Sequence, residues 1–143
     1  MIAVNQNGLL YMTKAALPHL LTAADDELRG VADIVNISSI AGRQAWANLA
    51  AYNMTKFGVN GFTEALRQEV TKKHVHVGAL EPGGVATELG SHNGGAIRKD
   101  LNAFYEATEI LQAKDIADRV AFMVTRPRHK SIAELWVMPA DQV

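Results

Sequence analysis

The chain has 143 residues, 48% apolar and 20% charged, an ordinary globular composition that is long enough for one domain with a sizeable core. A net charge of -1, with no basic run longer than Lys72 and Lys73, gives no footprint for nucleic acid or an anionic membrane surface, and zero cysteines exclude disulfides, iron-sulfur clusters and thiolate zinc while suiting a reducing compartment. No apolar run approaches the roughly 18 residues of a membrane span, and MIAVNQNGLLYM lacks a basic leader region, so the chain reads as cytoplasmic.

In chain order, Leu9, Leu10, Thr13, Ala16, Leu17, Leu20 and Leu21 recur at three and four, the period of a helix with one buried face, so 2–23 is predicted helical. Pro18 should kink this helix or remove a hydrogen bond, and Asn7-Gly8 alone would signal a turn. A polar stretch from Ala24 to Gly30 ends it. Ala32 to Ile37 is a short β-branched run, predicted to be a strand covered on both faces, and it opens into Ser38, Ser39 and Gly42. Residues 49–73 are predicted helical, with Val59, Phe62, Leu66 and Val70 on one face and Glu64, Arg67, Lys72 and Lys73 on the other.

Val75 to Glu81 is the second predicted strand, stopped by Pro82, and EPGGVATE follows as an irregular loop. Residues 90–105 are the least regular part. There Gly90, Gly94 and Gly95 precede a modest helical pattern around Leu101 to Tyr105, as in a flap. A third amphipathic helix is predicted over Lys114 to Thr125 and a last strand over Glu134 to Met138. Strands separated by long helices imply βα crossovers and a parallel sheet, so the class is α/β, and residues 1–143 read as one domain whose three strands are few for such a sheet.

Open α/β sheets bind ligands beyond the carboxyl ends of their strands, where Ser39 and the EPGGVAT loop both fall. Tyr52 and Lys56 share one helix face, about 6 Å apart along the axis at 1.5 Å per residue. An adjacent ammonium should favour the phenolate and bring the tyrosine's proton transfer nearer neutrality, while Ser39 adds a second hydrogen bond to a carbonyl oxygen on which charge develops during hydride addition. Taken singly, Tyr52 would be an ordinary half-buried tyrosine and Lys56 a snorkelling surface lysine. Ser38 reads as a turn former or helix cap, Asn5 as either surface or functional, and Trp46, Met54 and Phe57 as core by default, with substrate or a dimer partner as the alternative. His74 and His76 alternate on a strand but have no third ligand spaced nearby, so no metal site is expected.

The ordered set is more specific than its parts. Ser39 in ISS, Tyr52 thirteen residues on and Lys56 four further resemble the Ser...Tyr-x-x-x-Lys signature of the short-chain dehydrogenase/reductase family. VNxxG at Val4 to Gly8 resembles that family's helix with an active-site asparagine, and PGGVAT at Pro82 to Thr87 resembles its PGxVxT nicotinamide loop. The resemblance implies a Rossmann-like, doubly wound parallel sheet and an NAD(P)-dependent oxidoreductase that interconverts an alcohol and a carbonyl. By the same resemblance Tyr52 would donate the proton, Ser39 would position it, and Lys56 would bind the nicotinamide ribose and acidify the tyrosine. Asn5 would hold a relay water, Val85 and Thr87 would contact the carboxamide, Gly83 and Gly84 would let the backbone approach the ring, and a flap near 88–105 would cover substrate. The tail from Ala113 onward is similar to the branch of NADP-dependent 3-hydroxy acid and serine dehydrogenases, which implies small hydroxy acids or aldehydes and places NADP ahead of NAD.

The family pattern also begins with a strand, a TGxxxGxG turn and a helix, and none of the 143 residues matches it. The chain thus resembles the C-terminal catalytic half of the family's domain, with the N-terminal βαβ half missing. From that follow an uncovered strand edge beside Ala32 to Ile37, weak or no cofactor binding by this chain alone, and association into a dimer or tetramer through helices 2–23 and 49–73. The alternative function is an inactive fragment that serves as an association module.

Overall fold

The central strand organises the fold. In the computed structural model, which describes residues 1–25, 28–88 and 94–142, β1 is Ala32–Ile37, β2 is Val75–Pro82 and β3 is Glu134–Val137. They form one three-stranded sheet in the order β1-β2-β3 with both ladders parallel, Ala32 lying opposite Val75 and Ala79 opposite Glu134. All eight residues of β2 are buried. Its alternating side chains meet helices on both faces: Val75 and Val77 pack with Ala24, Leu66 and Val70, whereas Gly78 lies against Met123 on the other side.

The helices are α1, Leu9–Ala24, α2, Ala50–Val70, α3, Gly95–Ala107, and α4, Ala113–Val124. Asn7-Gly8 makes no turn. A π-helical segment, Ala3–Gly8, runs straight into α1. Pro18 stays inside α1 on its exposed side, where water can satisfy the freed carbonyl, and the Pro18 carbonyl accepts from Thr22 Oγ1 at 3.1 Å. After α2 a 3-10 turn, Thr71–Lys73, and His74 at φ 58° swing the chain into β2. Around α4, Gln112 and Asp115 close a reciprocal capping box, so the helix starts one residue earlier than its apolar period suggests.

Three expectations are corrected. β1 is not covered on both faces: only Ala32 and Asn36 are buried and Ile37 is 47% exposed, because β1 is the edge of the sheet. Trp46, Met54 and Phe57 are not core, with 37%, 51% and 45% of their surfaces exposed. α2 turns Val59, Leu66 and Val70 inward, so positions 54 and 57 fall on its outer side. The weak pattern near Leu101 is a full helix, α3, while residues 89–93 of the expected flap lie outside the described residues.

Candidate active site

β1 delivers the chain to the carboxyl edge of the sheet. Ser39 is extended there (φ -172°, ψ 160°) and caps the 3-10 turn Ile40–Gly42, its Oγ accepting from the Ala41 N–H at 3.1 Å. It also approaches the Pro82 carbonyl at 3.5 Å. Ser38, the expected cap, instead donates to the Lys56 carbonyl at 3.4 Å.

Tyr52 and Lys56 stand on the first two turns of α2, both half-buried. Ser39 lies near enough to Tyr52 to favour the ionised phenol. Burial pushes the phenol above its ordinary 10.0; Ser39 opposes that rise and Tyr105 of α3 adds to it. The expected acidification by Lys56 is absent. The ammonium sits 5.8 Å from the Tyr52 ring centre and donates to the Ile37 carbonyl at 3.1 Å, and burial lowers its own pKa from 10.5.

Strand alternation explains where the lysine went. The N–H groups of Ala32 and Ser38 bond the His74 and Leu80 carbonyls across the ladder, so the odd residues between them point their backbone groups to the open edge. Ile37 ends that edge, and Lys56 satisfies its carbonyl. Asn5, in the π-helical segment, is tied to the same helix: its Nδ2 donates to Thr55 Oγ1 at 3.3 Å, and that hydroxyl donates to the Tyr52 carbonyl at 2.8 Å. A groove of about 280 Å³ lies here, lined by Asn5, Gly8, Val35, Ile37, Lys56 and Val59 among others.

The Pro82 to Thr87 loop is held by its neighbours. Gly83 N–H donates to the Val137 carbonyl and Gly84 N–H to Gln142 Oε1, both at 2.8 Å. Leu111 N–H donates to the Gly84 carbonyl at 3.0 Å and its carbonyl accepts from Ala86 N–H at 2.8 Å. That short parallel bridge turns the amide and carbonyl of Val85 to the opposite side. Thr87 is exposed at the loop's end. The two glycines serve the protein's own packing: a Cβ on Gly84 would stand 2.7 Å from Phe104 Cε1, and one on Gly83 would strike Gln142 and Pro139.

Several polar residues that the sequence reading passed over complete the region. Asn53 grips the segment after Ser39, its Nδ2 donating to the Ala41 and Gln44 carbonyls at 2.8 and 2.9 Å and its Oδ1 accepting from Trp46 N–H at 3.3 Å. Asn60 Nδ2 donates to the Gly42 carbonyl at 3.1 Å and to Glu81 Oε1 at 2.5 Å. Glu81, 0% exposed, also accepts from Arg43 Nε at 2.7 Å. Arg43 pairs as well with Glu134 and lies 5.0 Å above the Trp136 ring, and its carboxylate partners, Glu81 first, raise its pKa. One signal was available: Glu81 is the single acid in the otherwise strand-forming run VHVGALEP. The histidines lie at the other end of the strands, His76 between Asp33 Oδ1 at 3.1 Å and the Arg128 carbonyl at 2.9 Å, and among the described residues no group of three or more side chains could hold a metal ion.

An open parallel sheet wound by helices on both faces, with Ser39 just beyond the end of β1, defines a Rossmann-like α/β protein. The chain belongs to the short chain dehydrogenase family, whose model matches residues 1–96. It is 32% identical over 142 residues to an NADP-dependent 3-hydroxy acid dehydrogenase of Schizosaccharomyces pombe, covering 99% of this chain and 52% of that protein. It is 34% identical to sulfoacetaldehyde reductase 2 of Chromohalobacter salexigens, covering 99% of this chain and 54% of the relative. Among solved structures, the closed form of a serine dehydrogenase complexed with NADP+ superposes with a TM-score of 0.87 at 32% identity, over 100% of this chain and 56% of that one. The chain thus spans about half the length of these relatives, and its three strands form a partial Rossmann-like fold.

Proposed function

We propose that residues 1–143 are one partial domain, the catalytic portion of an NAD(P)-dependent oxidoreductase that interconverts an alcohol and a carbonyl. The placement of Ser39 just beyond β1, with Tyr52 and Lys56 one turn apart at the start of α2 and the ammonium 5.8 Å from the Tyr52 ring, carries this reading. The side chains fit the nicotinamide end of such a cofactor: the groove of about 280 Å³ runs beside Lys56 and Asn5, and Val85 presents its amide and carbonyl away from Leu111. A glycine-rich turn for the pyrophosphate is not among the 143 residues. When bound, the cofactor supplies or accepts the hydride.

The chain's own groups handle the proton. Tyr52 gives its phenolic proton to the carbonyl oxygen in the reductive direction, and Ser39 shares the developing negative charge. Lys56, now on the Ile37 carbonyl, would hold a ribose hydroxyl, and Asn5, anchored on Thr55, would hold a relay water. Val85 and Thr87 would hold the carboxamide. NADP ahead of NAD, and a small hydroxy acid or aldehyde as substrate, follow from the names of the relatives. A cytoplasmic location and a second copy as partner belong to the same reading; among the described residues no helix is long and apolar enough to cross a membrane.

NADPH oxidation with a panel of small aldehydes and keto acids tests it. Turnover that disappears in Tyr52→Phe supports the enzyme, and turnover that persists there removes Tyr52 from its role. A second reading, an association module without catalysis, is favoured by the apolar side of α1, where Tyr11 and Met12 are each 71% exposed and Val4 just before it is 76% exposed. Saturable NADPH binding without turnover, together with concentration-dependent sedimentation, would select that reading.

A further inference from the structure

We propose that Glu81, which the proposed chemistry does not use, is the positioning residue that fixes the Ser39 segment against α2 and so sets Ser39 beside Tyr52. The inference rests on the Ser-Tyr reading above. Glu81 is the seventh of β2's eight residues and is fully buried. Burying a carboxylate is costly, and an apolar side chain of its size would serve cohesion at least as well, so stability is a poor reason for its presence. Its two oxygens instead join two different elements. Oε1 accepts from Asn60 of α2 at 2.5 Å and Oε2 from Arg43, four residues beyond Ser39, at 2.7 Å.

The clamp acts on the backbone between Ser39 and Arg43. Asn60 Nδ2, held by Glu81, also donates to the Gly42 carbonyl at 3.1 Å. A Cβ on Gly42 would stand 2.7 Å from that nitrogen, 2.9 Å from the Lys56 carbonyl and 2.9 Å from Ser38 Oγ, so the segment is pressed directly onto α2. Asn53 pins the same segment about two turns nearer Tyr52, through Ala41 and Gln44. The Ser39 hydroxyl accepts from the Ala41 N–H at 3.1 Å and makes a long 3.5 Å approach to the Pro82 carbonyl, and neither bond reaches α2. Its position against Tyr52 is therefore inherited from the clamp.

Glu81→Gln is nearly isosteric but offers one acceptor and one amide to two donors. Asn60 could answer only by flipping its amide, since its Oδ1 is buried without a hydrogen-bond partner, and the flip would withdraw Nδ2 from Gly42. The segment would loosen and Ser39 would slip from the phenol.

Titration of the chain labelled with 13Cζ-tyrosine reads this without cofactor, the Tyr52 signal being assigned by its loss in Tyr52→Phe. Glu81→Gln should move the Tyr52 midpoint upward by about half to one pH unit, the size of one lost hydrogen bond, as Ser39→Ala does, and the double variant should move it no further. An unmoved midpoint in Glu81→Gln beside a shifted one in Ser39→Ala overturns the proposal, as do additive shifts. A midpoint unmoved by Ser39→Ala overturns the Ser-Tyr contact itself. Should Glu81→Gln fail to fold, Asn60→Ala removes one arm of the clamp: a smaller upward move is expected, and none overturns the proposal.

Discussion

The two halves of α2 bury different chemistry. Its first turns, Tyr52 to Asn60, put Asn53 and Thr55 inside alongside a single buried aliphatic, Val59, and every one of the buried polar groups grips backbone outside the helix or supports the next side chain. Its last turns put Leu66 and Val70 inside, against Val75, Val77 and Ala24. One continuous helix thus joins a polar half that sets geometry to an apolar half that supplies cohesion. Hydrophobic burial is non-directional and tolerates small shifts, whereas the hydrogen bonds of the polar half have narrow angular and distance ranges. Between the two halves the buried Thr63 accepts from Asn36 of β1 at 2.9 Å, and the densest polar grip lies at the end of the helix that meets the strand termini.

Substitutions in the two halves should therefore fail differently. Tyr52→Phe should lower turnover by about 10²- to 10⁴-fold, the range for removing a general acid, with an unfolding midpoint close to that of the unmodified chain. Steady-state rates and urea denaturation measured on the same samples would check this; a large loss of stability would move Tyr52 into the cohesive half. Leu66→Ala should do the reverse. It should cost about 3 kcal/mol of stability, as large-to-small core changes do, and leave the Tyr52 titration of the folded fraction in place. A shifted Tyr52 would mean that the halves are coupled through the helix.

The cohesive half was the legible one. The run Ala32 to Ile37 is β1 to the residue, β3 differs from its pattern by one residue at one end and α4 by one residue at each end, and the inward face Val59, Leu66, Val70 is the observed one. Apolar periodicity records burial directly. The site was legible where its members share a helix, as Tyr52 and Lys56 do, or end a recognisable strand, as Ser39 does. Electrostatics was not: the helical spacing places an ammonium near the phenol, but Lys56 answers to a carbonyl left open by the edge strand, a fact of sheet order rather than of spacing. The clamp was invisible for the same reason, because Glu81 lies 21 residues from Asn60 and 38 from Arg43.

The pH dependence of stability sharpens the contrast inside the polar half. Tyr52 is raised above 10.0, so on going more alkaline the unfolded chain loses that proton first and stability falls between 10.0 and the folded value. Lys56 is lowered below 10.5; the unfolded chain then holds a proton that the folded one has released, and stability rises with pH across that window. The two slopes oppose each other. Lys56→Met should steepen the alkaline loss of stability and Tyr52→Phe should relieve it, as read from urea midpoints taken from about pH 8 to pH 11. Lys56→Met should also move the Tyr52 titration less than Ser39→Ala does. The opposite ranking would restore the ammonium as the dominant influence on the phenol.

The smallest effect belongs to the solvent side of the apolar half. Glu64 is held at a pKa of about 2 by Arg67, and secondarily by Gln68, with the Arg67 nitrogens 2.7 and 2.8 Å from its oxygens. Its folded value is depressed, so whatever it contributes is present above the ordinary 4.5 and disappears as pH falls toward 2. The pair is exposed to solvent, and surface pairs of this kind count for little and are screened by salt. Glu64→Gln should therefore flatten the acid limb of the stability curve slightly, and the difference from the parent chain should vanish in high salt. The same substitution should leave the Tyr52 midpoint where it was, because Glu64 lies three turns along α2 on the cohesive half. An acid limb that does not change would assign the pair no stabilising role, and a displaced Tyr52 midpoint would show charge on the far half reaching the site through the helix.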